Sequence, residues 1–253
     1  MVKTKHRIAS ILVVLLLVMG LPLSANAANI QGGQPTIAVN STEIVFAGHT
    51  WVVVADRGSA FGINTGTTDS NSVTLLLKNG DGGFSGYSSA YFNSSTGTNI
   101  YPNYELYQAM QGIYSVIGTT SAMEQRLIDG RLLDEVAVSN PGTYEEMTTQ
   151  EYVWPLSESE YGAIGSAQAY ITSWWLRSPY LGQQNNAYLV DNLGSDAHPV
   201  DITKYEVRPA LNLNLSSVIF TSDSTGGKPS TPNAGLEQTQ APSSPLKLTV
   251  WDE

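Results

Sequence analysis

Cysteine is absent from the 253-residue chain. That excludes a disulfide framework, a thiolate nucleophile and a Cys-ligated zinc site together. Histidine is scarce as well, with three residues, and His6 lies in a leading segment expected to be removed. A His-centred triad or a two-His metal centre would have to draw on His49 and His198. Neither stands in a partner motif, and each reads as an ordinary histidine of a turn or loop. Charged residues make up only 13% of the chain, about half the usual ~25%, and 12 basic residues face 22 acidic ones. A net charge of −10 repels phosphate backbones and argues against a nucleic-acid partner. There is also no polybasic patch to hold anionic lipid. The string Gly83-Phe84-Ser85-Gly86-Tyr87 lacks the final glycine of a nucleophile elbow. Neither H-E-x-x-H nor a phosphate-cradling glycine loop occurs. Paired carboxylates for glycoside hydrolysis are defined in space, so the sequence neither supplies nor excludes them.

The first 27 residues have the organisation of a secretory signal: basic Lys3, Lys5 and Arg7, an apolar run from Ile11 to Met19, breakers Gly20 and Pro22, and Ala25-Asn26-Ala27 as the cleavage site. The run is short for a bilayer span of about 20 residues. The expectation is a secreted, extracellular or cell-surface protein with no membrane contact after cleavage, more acidic still once the three basic residues are gone. Residues 28–39 read as a lead-in and residues 40–221 as one globular domain. Residues 222–245 form a Ser/Thr/Pro/Gly linker, and residues 246–253 a C-terminal strand in which Leu246, Leu248 and Val250 alternate with polar neighbours. That strand either folds back on the domain or begins a further module.

Within the domain, β-rich runs Glu43–Ala47 and Thr50–Ala55 around Gly48 predict a hairpin, and Val73–Leu77 a third strand closed by Asn79-Gly80-Asp81-Gly82-Gly83. Tyr107, Met110, Tyr114 and Ile117, broadened by Leu106 and Ile113, predict an amphipathic helix. Ser121 with Glu124, and Ser157 with Glu160, are capping-box signatures, which account for those carboxylates without catalysis. Further strands are expected at Ser173–Arg177, Ala187–Asp191 and Val207–Leu213, with a turn at Asn192–Ser195. The fold class is α+β: twisted, mostly antiparallel strands with two main helices.

The most distinctive string is Trp174-Trp175-Leu176-Arg177-Ser178-Pro179. On a strand the two indoles face opposite ways. Candidate ligand-binding residues are therefore Trp174, Trp175 and Arg177, with Tyr188 and Arg208, since flat rings and a guanidinium fork suit sugars. The competing and preferred account buries both indoles and makes Arg177 an organiser. Asp191, Asn192, Asp196 and Asp201 are weak calcium candidates; turn chemistry is preferred, because no calcium-loop spacing is present. No other cofactor is expected.

Tyr152-Val153-Trp154-Pro155-Leu156-Ser157, the Trp174–Pro179 string, Ala187-Tyr188 with Val190, and Val207-Arg208-Pro209-Ala210-Leu211-Asn212-Leu213-Asn214-Leu215-Ser216-Ser217-Val218 together resemble a family of uncharacterised secreted domains of Gram-positive bacteria, especially gut Firmicutes. The resemblance runs from about Glu43 to the C-terminus. It departs from the family at Glu206, where a glycine is usual and where a local turn or bulge could change. The family has no activity to carry over. A looser similarity is to C-type-lectin-like folds, including the formylglycine-generating-enzyme branch. It implies comparable places for Trp175, Arg177 and Ser178 on one strand and Val207 and Arg208 on a later one. That branch's oxidase chemistry uses cysteines, so the activity is not implied here. The expected function is a non-catalytic binding module for an extracellular glycan or surface protein. The alternatives are an extracellular polysaccharide hydrolase and a ligand-free spacer.

Overall fold

The computed structural model describes residues 37–56, 61, 71–164, 172–216, 218–221 and 245–250. The signal-like segment and most of the expected linker lie outside the described residues. What is described is mixed α+β, with strands predominating and three helices.

The main sheet is built around the driest strands. β3 (Ser72–Leu77) is buried at every position, as expected of a strand covered on both faces. It pairs antiparallel with β2 (His49–Ala55) on one side and β13 (Pro209–Asn214) on the other. β1 (Glu43–Phe46) joins β2 through Ala47 and Gly48, whose φ angles of 52° and 78° place both turn residues in the left-handed region. A tight hairpin that follows the strand twist needs this conformation. The predicted C-terminal strand, β15 (Leu246–Val250), folds back: it pairs parallel with β1 and antiparallel with β14 (Val218–Thr221). β5 (Ile128–Asp129) and β8 (Trp154–Pro155) both pair with β13, completing eight strands.

A second sheet runs β11–β10–β9–β12–β4, with β4 at Ser89–Ala90, β9 at Trp174–Pro179, β10 at Asn186–Asp191, β11 at Gly194–Pro199 and β12 at Tyr205–Glu206. β6 (Arg131–Leu132) and β7 (Gln150–Glu151) form a two-stranded ribbon. Among the described strands pairing is antiparallel except β1 with β15 and β12 with β9. β11 is where a turn alone was expected. Its sequence, GSDAHP, is poor in strand formers, but an edge strand tolerates polar residues and a terminal proline.

The predicted long helix is α1 (Glu105–Thr120), and its buried stripe is Leu106, Ala109, Met110, Ile113 and Ile117. The tyrosines of the same pattern sit at its margins because each phenol needs a polar partner or water. Tyr107 Oη donates to Glu151 Oε1 at 3.1 Å, and Tyr114 stacks on Tyr152 at 4.7 Å.

The expected second main helix is a correction. Ser121 does cap, its hydroxyl accepting from Glu124 N at 3.2 Å, but α2 (Ala122–Gln125) lasts a single turn. Leu127 and Ile128 leave it to serve the sheet: Ile128 pairs with Leu213, and Asn214 N donates to Leu127 O at 2.7 Å. α3 (Glu158–Ile164) follows the second capping signature and is also short.

One buried polar contact ties the sheet centre together. Thr74 Oγ1 donates to Asn212 Oδ1 at 2.7 Å across β3 and β13, while the backbone N–H and C=O of Phe61 bond Thr74 Oγ1 and Asn212 Nδ2, each at 2.8 Å. Each polar group buried there has a partner, which is the condition for tolerating it in a core.

Truncating Ile113, fully buried on α1, should cost about 2–5 kcal/mol. Tyr114→Ala at the stripe's margin should cost less. Urea unfolding of both variants checks the order.

Candidate functional site

Arg177 on β9 is fully buried, so its five N–H donors must all be satisfied inside the protein. They are. Nε donates to Asp134 O at 2.9 Å, Nη1 to Pro155 O at 3.1 Å and Glu160 Oε2 at 2.5 Å, and Nη2 to Asp134 Oδ1 at 2.7 Å and Glu160 Oε1 at 3.0 Å.

Glu160 is brought there by its own capping box. Ser157 Oγ accepts from Glu160 N at 3.1 Å, and Glu160 Oε2 accepts from Ser157 N at 2.9 Å. Arg131 Nη1 donates to the same carboxylate, and its guanidinium lies 5.0 Å from the centre of the Trp154 ring. Burial alone would raise the Glu160 carboxyl, but the Arg177 and Arg131 charges prevail and hold it down at about 2. The Arg177 guanidinium is pushed up: burial opposes the shift, and the Glu160 and Asp134 charges outweigh it.

The other candidates separate. Trp174 is 1% exposed, with the Arg208 guanidinium 5.1 Å from its ring centre and Tyr161 edge-on at 5.9 Å. Trp175 is fully buried; its Nε1 donates to Ala90 O at 3.0 Å, and it meets Phe92 and Tyr205 edge-on. Arg208 is buried, with Nε donating to Leu77 O at 2.8 Å. Protein thus covers both indoles and both guanidiniums. Tyr188 alone of the five is half-buried, its ring 5.2 Å from that of Tyr180. Burial, then the charges of Glu158 and other neighbours, raises its phenol pKa.

The acidic group around the β10–β11 turn serves the backbone. Asp191 Oδ1 accepts from Leu193 N and Asp196 Oδ1 from Ala197 N, each at 2.7 Å, while Asn192 and Asp201 are exposed. Among the described residues no three His, Cys, Asp or Glu side chains gather closely enough to hold a metal ion.

A second candidate lies at the surface, in residues that no local sequence pattern marks. An open groove of about 550 Å³ lies between the glycine-rich turn after β3 and the β12 strand. Gly80, Gly82 and Gly83 line one wall with φ angles of 79°, 92° and 66°, a path that residues with a Cβ rarely follow. Asp81 clamps this turn. Its carboxylate accepts from Thr50 N at 2.8 Å and meets His49 Nδ1, while the His49 ring packs 4.0 Å from Phe84. Ser88, Ser89, Thr172 and Ser173 line the flanks. Lys204, Tyr205 and Glu206 supply the remaining side.

Lys204 lies over the Tyr91 ring at 5.4 Å, and Tyr205 is half-buried against Trp175 and His198. The departure at Glu206 produces no bulge: β12 pairs in register with Ser89 on one side and Trp174 on the other, and no positive φ occurs there. Burial raises the Glu206 carboxyl, and the Arg208 charge only partly opposes this.

These features define an α+β domain with a structural charge cluster inside and a polar groove at its surface. A family described as "Domain of unknown function (DUF6273)" matches residues 132–215, about a third of the chain. The matched stretch contains Asp134, Glu160 and Arg177 of the cluster and Lys204, Tyr205 and Glu206 of the groove; the glycine turn lies outside it. No curated protein and no solved structure matches the chain.

Removing the Glu160 charge leaves two buried guanidiniums to share the one exposed carboxylate of Asp134, so Glu160→Gln should cost about 3–5 kcal/mol in chemical unfolding at neutral pH. Because the folded-state pKa is lowered from 4.5 to about 2, the wild type keeps this contribution above pH 4.5. It should lose it progressively as pH falls toward 2. Glu160→Gln should show a flatter profile over that window.

Proposed function

We propose that the chain is a non-catalytic binding module, exported to the cell surface or medium, that holds a glycan in the groove lined by the glycine turn and β12. The observation that carries this reading is the composition of the groove: four hydroxyl-bearing residues, three glycines, an asparagine, a half-buried tyrosine, one lysine and one glutamate around an open space. Sugars present dense hydroxyls and patches of C–H, so fixed donors and acceptors beside an aromatic ring suit them. The acidic balance of the chain turns away nucleic acid. Among the described residues no helix is long and apolar enough to cross a membrane. The export half of the proposal rests on the signal-like composition of residues 1–27.

A polysaccharide hydrolase would need two carboxylates facing each other across about 5–9.5 Å. Glu206 is the acid among the groove's described lining residues, which favours binding over cleavage. A spacer would not call for the groove. A C-type-lectin-like arrangement is the architectural part of the proposal. It is supported by the parallel pairing of β9, which carries Trp175, Arg177 and Ser178, with β12, which runs directly into Val207 and Arg208.

Ser89 is exposed and lines the groove, so Ser89→Trp should fill it without touching the core. On a glycan array followed by calorimetry, the full chain should bind at least one glycan. Ser89→Trp should weaken that binding at least tenfold with an unchanged unfolding midpoint. Failure of the wild type to bind any glycan sinks the proposal, as does undiminished binding by Ser89→Trp.

A further inference from the structure

Glu206 occupies an unusual position for a carboxylate. Its backbone is committed: N donates to Ser173 O at 3.0 Å, and its neighbours across the sheet are Ser89 and Trp174. The residue is therefore fixed in the lining of the groove, and it is half-buried there. Among the described residues its carboxylate makes no hydrogen bond and no ion pair. Lys204, two residues away, is drawn onto Tyr91 instead. A carboxylate that lines an open groove and spends none of its acceptor capacity on protein donors can accept hydrogen bonds from whatever enters the groove.

The charges around it decide what that donor is. Lys204 and Arg208 flank Glu206 in the chain, and Arg208 acts on it electrostatically. The facing strands contribute Ser173 and Trp174 from β9 and Ser89 from β4, none of them titratable in the ordinary range. The glycine turn contributes Asn79 and backbone, with Asp81 tied to His49 and Thr50. An ammonium on the ligand would meet the Lys204 ammonium in the lining and, behind Glu206, the buried Arg208 charge. An anionic ligand would meet Glu206 itself and a chain of net charge −10. An uncharged polyol avoids both penalties. Two adjacent hydroxyls can each donate to one carboxylate oxygen, as charge-assisted bonds stronger than neutral ones. Their own oxygens then remain open to the serine and threonine hydroxyls and the backbone of the turn.

We infer that the ligand class of the groove is the neutral saccharide, gripped through vicinal hydroxyls that donate to the ionised Glu206 carboxylate. This rests on the groove being a glycan site and deepens that reading. It carries a pH dependence of fixed sign. Only the ionised carboxylate accepts both hydroxyls, and burial raises the carboxyl pKa above the ordinary value of 4.5. Affinity should hold constant at neutral pH and fall as pH drops through that raised pKa, approaching tenfold per pH unit below it.

The test is calorimetric titration of the full chain with neutral gluco-, manno- and galacto-oligosaccharides, with oligogalacturonate and with de-N-acetylated chito-oligosaccharide, between pH 4 and 7.5. Wild type, Glu206→Gln and Ser89→Trp are compared. The expected result is binding of a neutral oligosaccharide that weakens on acidification. Glu206→Gln, which keeps the shape but loses the charge, should bind it at least tenfold more weakly, with little remaining pH dependence and an unfolding midpoint no lower than wild type. If Ser89→Trp abolishes binding while Glu206→Gln changes neither affinity nor pH profile, the groove is a glycan site and the Glu206 inference falls. Preference for oligogalacturonate with binding that tightens on acidification, or preference for the chito-oligosaccharide, also overturns it. If no saccharide binds the wild type, or Ser89→Trp binds as the wild type does, the groove reading fails and takes this inference with it.

Discussion

A guanidinium with no access to water sets the terms for the middle of this fold. Arg177 can be buried only because five acceptors meet its five donors, and those acceptors come from three separate stretches of chain. Asp134 follows the β6 strand, Pro155 ends β8, and Glu160 opens α3. None of the three stretches is long enough to be stable alone. The cluster fixes where each must stand, and the sheets then bury the apolar residues between them. In energetic terms a buried pair of this kind is a weak net stabiliser compared with well-packed hydrocarbon. Its consequence is geometric: any arrangement that separates Glu160 from Arg177 takes from each buried charge one of its partners.

Much of this could be read from the sequence, and the rest failed for identifiable reasons. The hairpin at Gly48, the strand before Lys78, the helix from Glu105 and the strand at Trp174 follow from local patterns of apolar residues and turns, which operate over a few residues. The helix at Ser121 stopped after one turn because Ile128 is more valuable to β13 than to the helix, and such a competition is tertiary. β11 was missed because an edge strand carries no strand-like composition. The capping signature predicts Glu160 as a helix cap, which it is, but nothing near it in sequence announces the two arginines 17 and 29 residues away.

The candidate binding residues were a subtler case. Trp174, Trp175 and Arg177 attract attention in the sequence because large aromatic and charged groups seldom alternate on one strand. In the structure that conspicuousness reflects a demanding interior, with each group buried against specific partners. The groove draws instead on glycines, serines, a threonine and one strand pair, residues that are unremarkable singly. It joins the turn at Asn79 to Tyr205 and Glu206, more than a hundred residues later in the chain. No sequence window contains it. The one local sign is Glu206 standing where the resembled family usually has glycine, on a strand that pairs normally on both sides.

The two features are connected through rigidity. β9 carries Arg177 of the charge cluster, and the same strand pairs with β12, so the cluster and the groove share a frame. Trp175 extends that frame: its indole is fixed to Ala90 O on the β4 segment and presses edge-on against Tyr205, one of the groove's own residues. On the opposite wall the Asp81 clamp holds the glycine turn to β2 through Thr50 and His49. A site whose walls are already ordered loses little conformational freedom when a flexible, strongly hydrated ligand enters, and that cost is what most limits the binding of polar chains. On the proposed reading of the groove, the buried charges bear on recognition without touching the ligand, because they hold the strand against which Glu206 is positioned.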